Sequence, residues 1–165
     1  MSELTQVRVH DGSIVDAAAD ASDTSEPVLV PIHPYVDDRG WSYMNQLQGV
    51  LSPEGQINFS MQHPGVIKAW HRHDRQTDFW LCVLGHFKAG IHRESDDRRW
   101  ITTIGQMRPA VLIIPPPLWH GVATVGSEPA GLLYYVTRAY DAATPDEHRR
   151  PWNALPDFPW ETTHG

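Results

Sequence analysis

The chain has 165 residues, 41% hydrophobic and 20% charged, which suits one domain with a sizeable core. Its formal charge of −7 argues against nucleic acid as a partner, since gripping a phosphate backbone needs a basic face. There is no apolar run of about eighteen residues to span a membrane. The N-terminus lacks the basic start and apolar core of a secretory leader, so a cytoplasmic protein acting on small molecules is expected.

Residues 1–26 are rich in Ala, Asp and Ser and poor in large apolar groups. A flexible N-terminal segment is expected there, because such a stretch buries too little surface to offset its ordering entropy. Residues 27–165 are expected to form a single domain. The run from Val28 to Val36 is apolar, β-branched and broken by proline, as an edge strand is. An acidic turn, Asp37-Asp38-Arg39-Gly40, leads into Trp41.

From Gln56 to Gln62 the residues alternate, with Ile57, Phe59 and Met61 on one face and Asn58, Ser60 and Gln62 on the other. The same period from Val66 to His73 places Ile67, Ala69, His71 and His73 together, opposite Val66, Lys68, Trp70 and Arg72. A further strand carries Asp78, Trp80, Cys82 and Leu84 on one face, so the lone Cys82 is expected to be a packed thiol. Strands are also expected over His86–His92, Arg99–Ile104, Val111–Ile114, Val122–Val125 and Leu132–Thr137. Many short strands separated by Gly, Pro and Asp turns, with 12 Gly and 14 Pro in the chain, indicate an all-β barrel or sandwich. In the tail, Pro145 with the acids after it is expected to start a helical turn. Trp152, Phe158 and Trp160 are expected to pack that tail on the barrel.

Two histidines two apart on a face that begins apolar point into an interior, where imidazole needs a metal, substrate or carboxylate partner. The stretch Gly65…His71-x-His73…Asp78…Gly85 resembles the first motif of the cupin family, with Asp where the family usually has Glu. Pro115 to His120 resembles its second motif, with Pro117 in place of glycine. A cupin jelly-roll barrel with a short helical or irregular C-terminal tail is the fold this resemblance implies.

Several segments resemble one branch of the cupins, the dTDP-4-dehydrorhamnose 3,5-epimerase family. They are Asp37 to Trp41, Asn58-Phe59-Ser60, Gly65 to His71, Ile114 to Gly121, and Tyr134 with Thr137 and Tyr140. The resemblance implies that His71 is the base removing a proton beside a sugar ketone. Tyr134 then stands on the opposite face as acid, and imidazole suits the first role because its pKa lies near neutrality. It further implies that Arg39 and Lys68 hold the diphosphate, Asn58 and His120 line the pocket, and Tyr140 stacks on the nucleotide or sugar. The implied substrate is a 4-keto-6-deoxy sugar nucleotide, the implied assembly a homodimer.

Two features depart from that pattern. The family's enolate-stabilising lysine falls at Asp78, where an anion would oppose the developing charge. The family's histidine-orienting C-terminal aspartate has no clear counterpart, Asp157 being the nearest candidate. The epimerase reading needs no cofactor. Against it, His71, His73, Asp78 and His120 stand at the four positions by which other cupins hold a divalent ion, for which Zn, Fe(II), Mn or Ni all suit. The alternatives are therefore a metal-dependent cupin acting as isomerase, lyase or oxygenase, and a non-catalytic sugar-binding cupin.

Overall fold

The computed structural model describes residues 4–162; residues 1–3 and 163–165, at the ends of the two expected segments, lie outside it. In chain order the strands are β1 (Leu4–Gln6), β2 (Arg8–Val9), β3 (Val28–Pro31), β4 (Tyr35–Asp37), β5 (Gly40–Ser42), β6 (Gln56–Gln62), β7 (Ile67–Arg72), β8 (Asp78–Leu84), β9 (His86–Arg93), β10 (Arg98–Gly105), β11 (Ala110–Ile114), β12 (Trp119–Val125), β13 (Ala130–Val136) and β14 (His148–Arg149), with the helix α1 (Ile14–Thr24) between β2 and β3. They form two six-stranded sheets, ordered β1-β10-β9-β12-β7-β14 and β2-β3-β11-β8-β13-β6, and a separate hairpin β4-β5. This is the all-β jelly roll expected from the strand pattern.

Trp80, Cys82, Phe87, Ile91, Trp100, Leu112 and Leu118 fill the space between the sheets. Apart from Leu118, which precedes β12, each residue named here comes from an alternate position of its strand, as period two predicts. Burial pushes the Cys82 thiol up to about 11, so it is a protonated packing group at neutral pH, as expected.

Residues 4–26 are not a flexible segment. β1 pairs parallel with β10, β2 pairs parallel with β3, and α1 covers the outer face of the second sheet. Ser13 caps the helix by accepting from the Asp16 N–H, and Ala17 and Ala21 are fully buried against Val28 and Ile113. The methyl groups let the helix approach closely, and tertiary packing supplies what the segment cannot bury alone. A Ser with an acid three residues later before an alanine run was the available signal. β3 is likewise not an edge strand, since β2 and β11 flank it.

The tail holds no helix among its described residues. It carries β14, then Phe158 and Trp160, which are buried with Trp70 and Trp119 on the outer face of the first sheet. Trp152 is half exposed, but its carbonyl accepts the Trp70 indole N–H at 3.1 Å. Lys88 Nζ donates to the carbonyl of Pro159 at 2.9 Å and fastens the end of the chain.

Candidate active site

Between the sheets, where β6, β7, β8 and β13 diverge, lies a cavity of about 740 Å³. Register explains its polarity. Asn58 on β6 stands beside Tyr134 on β13, which stands beside Trp80 on β8, which stands beside Leu112 on β11. The row above runs Gln56, Val136, Asp78, Ile114. Each row changes from amide at the free edge to hydrocarbon at the centre, so the cavity is the polar continuation of the core. Lys68 Nζ donates to Ser60 Oγ at 2.9 Å and Gln62 to Thr124 Oγ1 at 3.3 Å, tying the sheets together across that edge.

On β7 the expected alternation fails. Lys68, His71 and, just past the strand, His73 line the cavity, while Ile67, Ala69 and Trp70 join the outer apolar cluster. The cause is a bulge: His120 pairs with His71 but Val122 pairs with Lys68, so Gly121 alone opposes both Ala69 and Trp70. One extra residue on a strand inverts the facing of everything beyond it. Gly121 is required there, since a Cβ would meet that of Ala69 at 2.3 Å.

The bulge turns His71 inward. Its Nδ1 lies 3.1 Å from Glu147 Oε1, and Arg149 Nη2 holds the two Glu147 oxygens at 3.1 and 3.0 Å. The carboxylate can only accept, so neutral His71 donates from Nδ1 and keeps its Nε2 lone pair. Burial lowers the His71 pKa, against the raising effect of Glu147, and so keeps the imidazole neutral and basic near pH 7. Glu147 sits below the usual carboxylate range, as Arg149 and His71 outweigh its burial. The orienting carboxylate is therefore Glu147, not Asp157, which is exposed.

A second constellation lies alongside. His73, Asp78 and His120 each offer a donor atom within 4.8 Å of the others, and His71 is not among them. The expected four-residue ligand set thus divides into a three-residue cluster and a His71–Glu147 pair. His120 Nδ1 donates to the Leu118 carbonyl at 3.0 Å and His73 Nδ1 to the Asp146 carbonyl. With its Nδ1 on the Leu118 carbonyl, His120 directs Nε2 toward Asp78. Asp78 accepts from Gln76 Nε2 at 2.8 Å and Trp80 Nε1 at 3.1 Å, with His120 Nε2 at 3.6 Å. Burial raises the Asp78 pKa and puts that of His120 well below its ordinary value.

Tyr134 lines the same cavity as His71 but from the other sheet, and burial followed by the charge of Asp78 raises its pKa, keeping the phenol protonated. Asn58, Lys68, His120 and Tyr140 also line the cavity, whereas Arg39 does not. It sits on the β4-β5 hairpin, paired with Asp37 and 81% exposed, because that hairpin hydrogen-bonds to neither sheet. Arg75 and Arg138, which sequence reasoning did not single out, stand at the cavity instead.

Residues 35–148 match the family described as Polysaccharide biosynthesis C-terminal domain. Over 134 residues the chain is 34% identical to the spore coat polysaccharide biosynthesis protein SpsL of Bacillus subtilis, spanning 76% of this chain and 89% of that one. Over 101 residues it is 38% identical to the probable low-salt glycan biosynthesis epimerase Agl13 of Haloferax volcanii, 58% of this chain and 65% of that protein. Among solved structures, a dTDP sugar isomerase from Desulfovibrio desulfuricans G20 superposes with a TM-score of 0.71 at 25% identity, over 81% of this chain and 90% of the other. The epimerase-like cupin expected from the motifs is therefore matched in both sequence and fold, and the chain belongs to the polysaccharide biosynthesis C-terminal domain family.

Proposed function

We propose that the protein epimerises a 4-keto-6-deoxy sugar nucleotide by moving a proton at a carbon beside the ketone. The observation that carries this reading is the His71–Glu147 pair facing Tyr134 across one cavity. His71 Nε2 removes the proton from one face of the carbon, and Glu147 stabilises the resulting imidazolium. The electron pair moves onto the ketone oxygen. Tyr134 returns a proton to the opposite face, which inverts the centre, and solvent restores both side chains. Lys68 and the arginines at the cavity, Arg75 and Arg138, supply cationic contacts for the diphosphate. Tyr140, 66% exposed at the cavity, offers a stacking face to the nucleotide.

The ligand chemistry favours one divalent ion, Zn, Fe(II), Mn or Ni, on His73, Asp78 and His120. Two imidazoles and a buried carboxylate bring donor atoms within 4.8 Å of one another, a nitrogen and oxygen set that suits such a cation. When bound, the ion would supply the positive charge that a lysine supplies in a metal-free site. No helix among the described residues is long and apolar enough to cross a membrane, and cytoplasmic action on a soluble nucleotide sugar is part of this proposal. The test is solvent deuterium incorporation into a bound 4-keto-6-deoxy sugar nucleotide, followed by mass spectrometry. Label at the carbon beside the ketone is expected; a bound but unlabelled sugar would identify a binding module instead.

The assembly is expected to be a homodimer. Tyr35, Val36 and Trp41 on the β4-β5 hairpin are exposed by 60%, 66% and 51%, and Ile57, Phe59 and Met61 on edge strand β6 by 55%, 55% and 46%. A second copy laid on these faces would cover them and the free edge. Sedimentation at micromolar concentration should show twice the chain mass, and a monomer would reject the assembly.

A further inference from the structure

We propose that Asp146 is a positioning residue, whose grip on the Asp74–Arg75 turn sets the aim of His73 in the cation site and of His71 in the proton-transfer pair. This inference rests on the metal reading of the site given above.

Three bonds run from this one residue to three successive residues of the turn. Its Oδ1 accepts the Asp74 N–H at 2.9 Å, its Oδ2 accepts the Arg75 N–H at 3.0 Å, and its carbonyl accepts the His73 Nδ1–H. The Asp146 side chain is itself only 12% exposed, although the Asp74 and Arg75 amides it accepts from lie at the surface. The next residue, Glu147, reaches His71, and β14 continues the contact by pairing Arg149 with His71 and His148 with Arg72. Trp70 and Arg150 exchange backbone bonds at 3.0 Å in each direction and close the far end. The segment is thus held against β7 on both sides of Glu147.

A ligating imidazole must present one nitrogen along a fixed line, and the acceptor on its other nitrogen sets both tautomer and ring angle. For His73 that acceptor is a backbone carbonyl, which no side-chain substitution removes. What places the carbonyl is the carboxylate of the same residue, bonded to the two amides just beyond the histidine. Losing the carboxylate frees the carbonyl to drift, and His73 with it. Glu147 shares the same short segment, so the base and the cation site depend on one anchor. Of the two constellations, the Glu147 side chain contacts only the base, through His71 Nδ1.

The experiment titrates apo protein with Co²⁺ against a chromophoric chelator, for wild type, Asp146→Ala, Asp146→Asn and Glu147→Gln, with a thermal melt of each apo form. Wild type is expected to take one equivalent. Asp146→Ala should bind about 10–100-fold more weakly, the range seen when a partner of a metal ligand is lost. Asp146→Asn keeps one acceptor and should fall between, with Glu147→Gln within about threefold of wild type. If Asp146→Ala does not fold, Asp146→Asn decides. Wild-type Co²⁺ affinity in folded Asp146 variants would overturn the proposal while leaving the metal reading intact. Equal weakening by Glu147→Gln would overturn it too, since the whole segment and not Asp146 would then be responsible. A wild type that binds no Co²⁺ would remove the metal reading and this inference together.

Discussion

His71→Asn is expected to lower kcat for epimerisation by about a hundredfold or more, the usual contribution of a positioned acid or base. Asparagine can still hydrogen-bond Glu147, but it has no basic lone pair to accept a proton from carbon. The substitution is isosteric in part and the side chain is 33% exposed, so the fold should survive with a melting temperature close to wild type. Glu147→Gln should give a smaller loss. Its amide oxygen can still accept the Nδ1–H, but the charge that stabilises imidazolium is gone. Solvent deuterium exchange into the sugar separates the outcomes cleanly. If His71→Asn exchanges at the wild-type rate, another group is the base and the dyad is only structural.

Asp78→Lys is expected to abolish divalent-ion binding and, with it, at least about a hundredfold of activity. Asp78 is 4% exposed, set between Gln76, Trp80 and His120. An ammonium there cannot coordinate and repels a cation, so the loss should exceed the 10–100-fold typical of a ligand's own partner. Asp78→Asn is the companion variant because it keeps the size and an acceptor for Trp80 Nε1–H. It should retain the fold and bind the ion more weakly than wild type. Elemental analysis and activity of protein purified without chelator are the measurements. Wild type that is fully active, contains no metal and is indifferent to chelator would reduce Asp78 to a hydrogen-bond acceptor.

What could be read in advance depended on how local its cause was. The strands β6, β8, β9 and β10 follow an alternation set by neighbouring residues, and the inward placement of Asp78, Trp80 and Cys82 followed from it. Motif spacing brought His71, His73, Asp78, His120 and Tyr134 to one cavity, because strand rise and turn length convert spacing into position. Alternation on β7 did not survive, since its bulge answers Gly121 on another strand. The helix α1 was missed for a related reason. Its alanines carry little apolar area alone, and only the outer face of the second sheet makes them core residues.

The sequence by itself determined the all-β class, because that is a consequence of period and turn chemistry, and its resemblance to the cupin and epimerase families supplied the candidate acid, base and cation-binding side chains. Only the tertiary structure decided how those side chains are shared out. It assigned His71 to Glu147 and His73 to the Asp146 carbonyl, the latter across 73 positions of chain, and it placed Arg39 away from the cavity that Arg75 and Arg138 line. Such pairings join groups that carry no mark of each other in the sequence. They form because an acceptor-only carboxylate or carbonyl, brought near a buried imidazole, removes the cost of leaving that N–H unsatisfied.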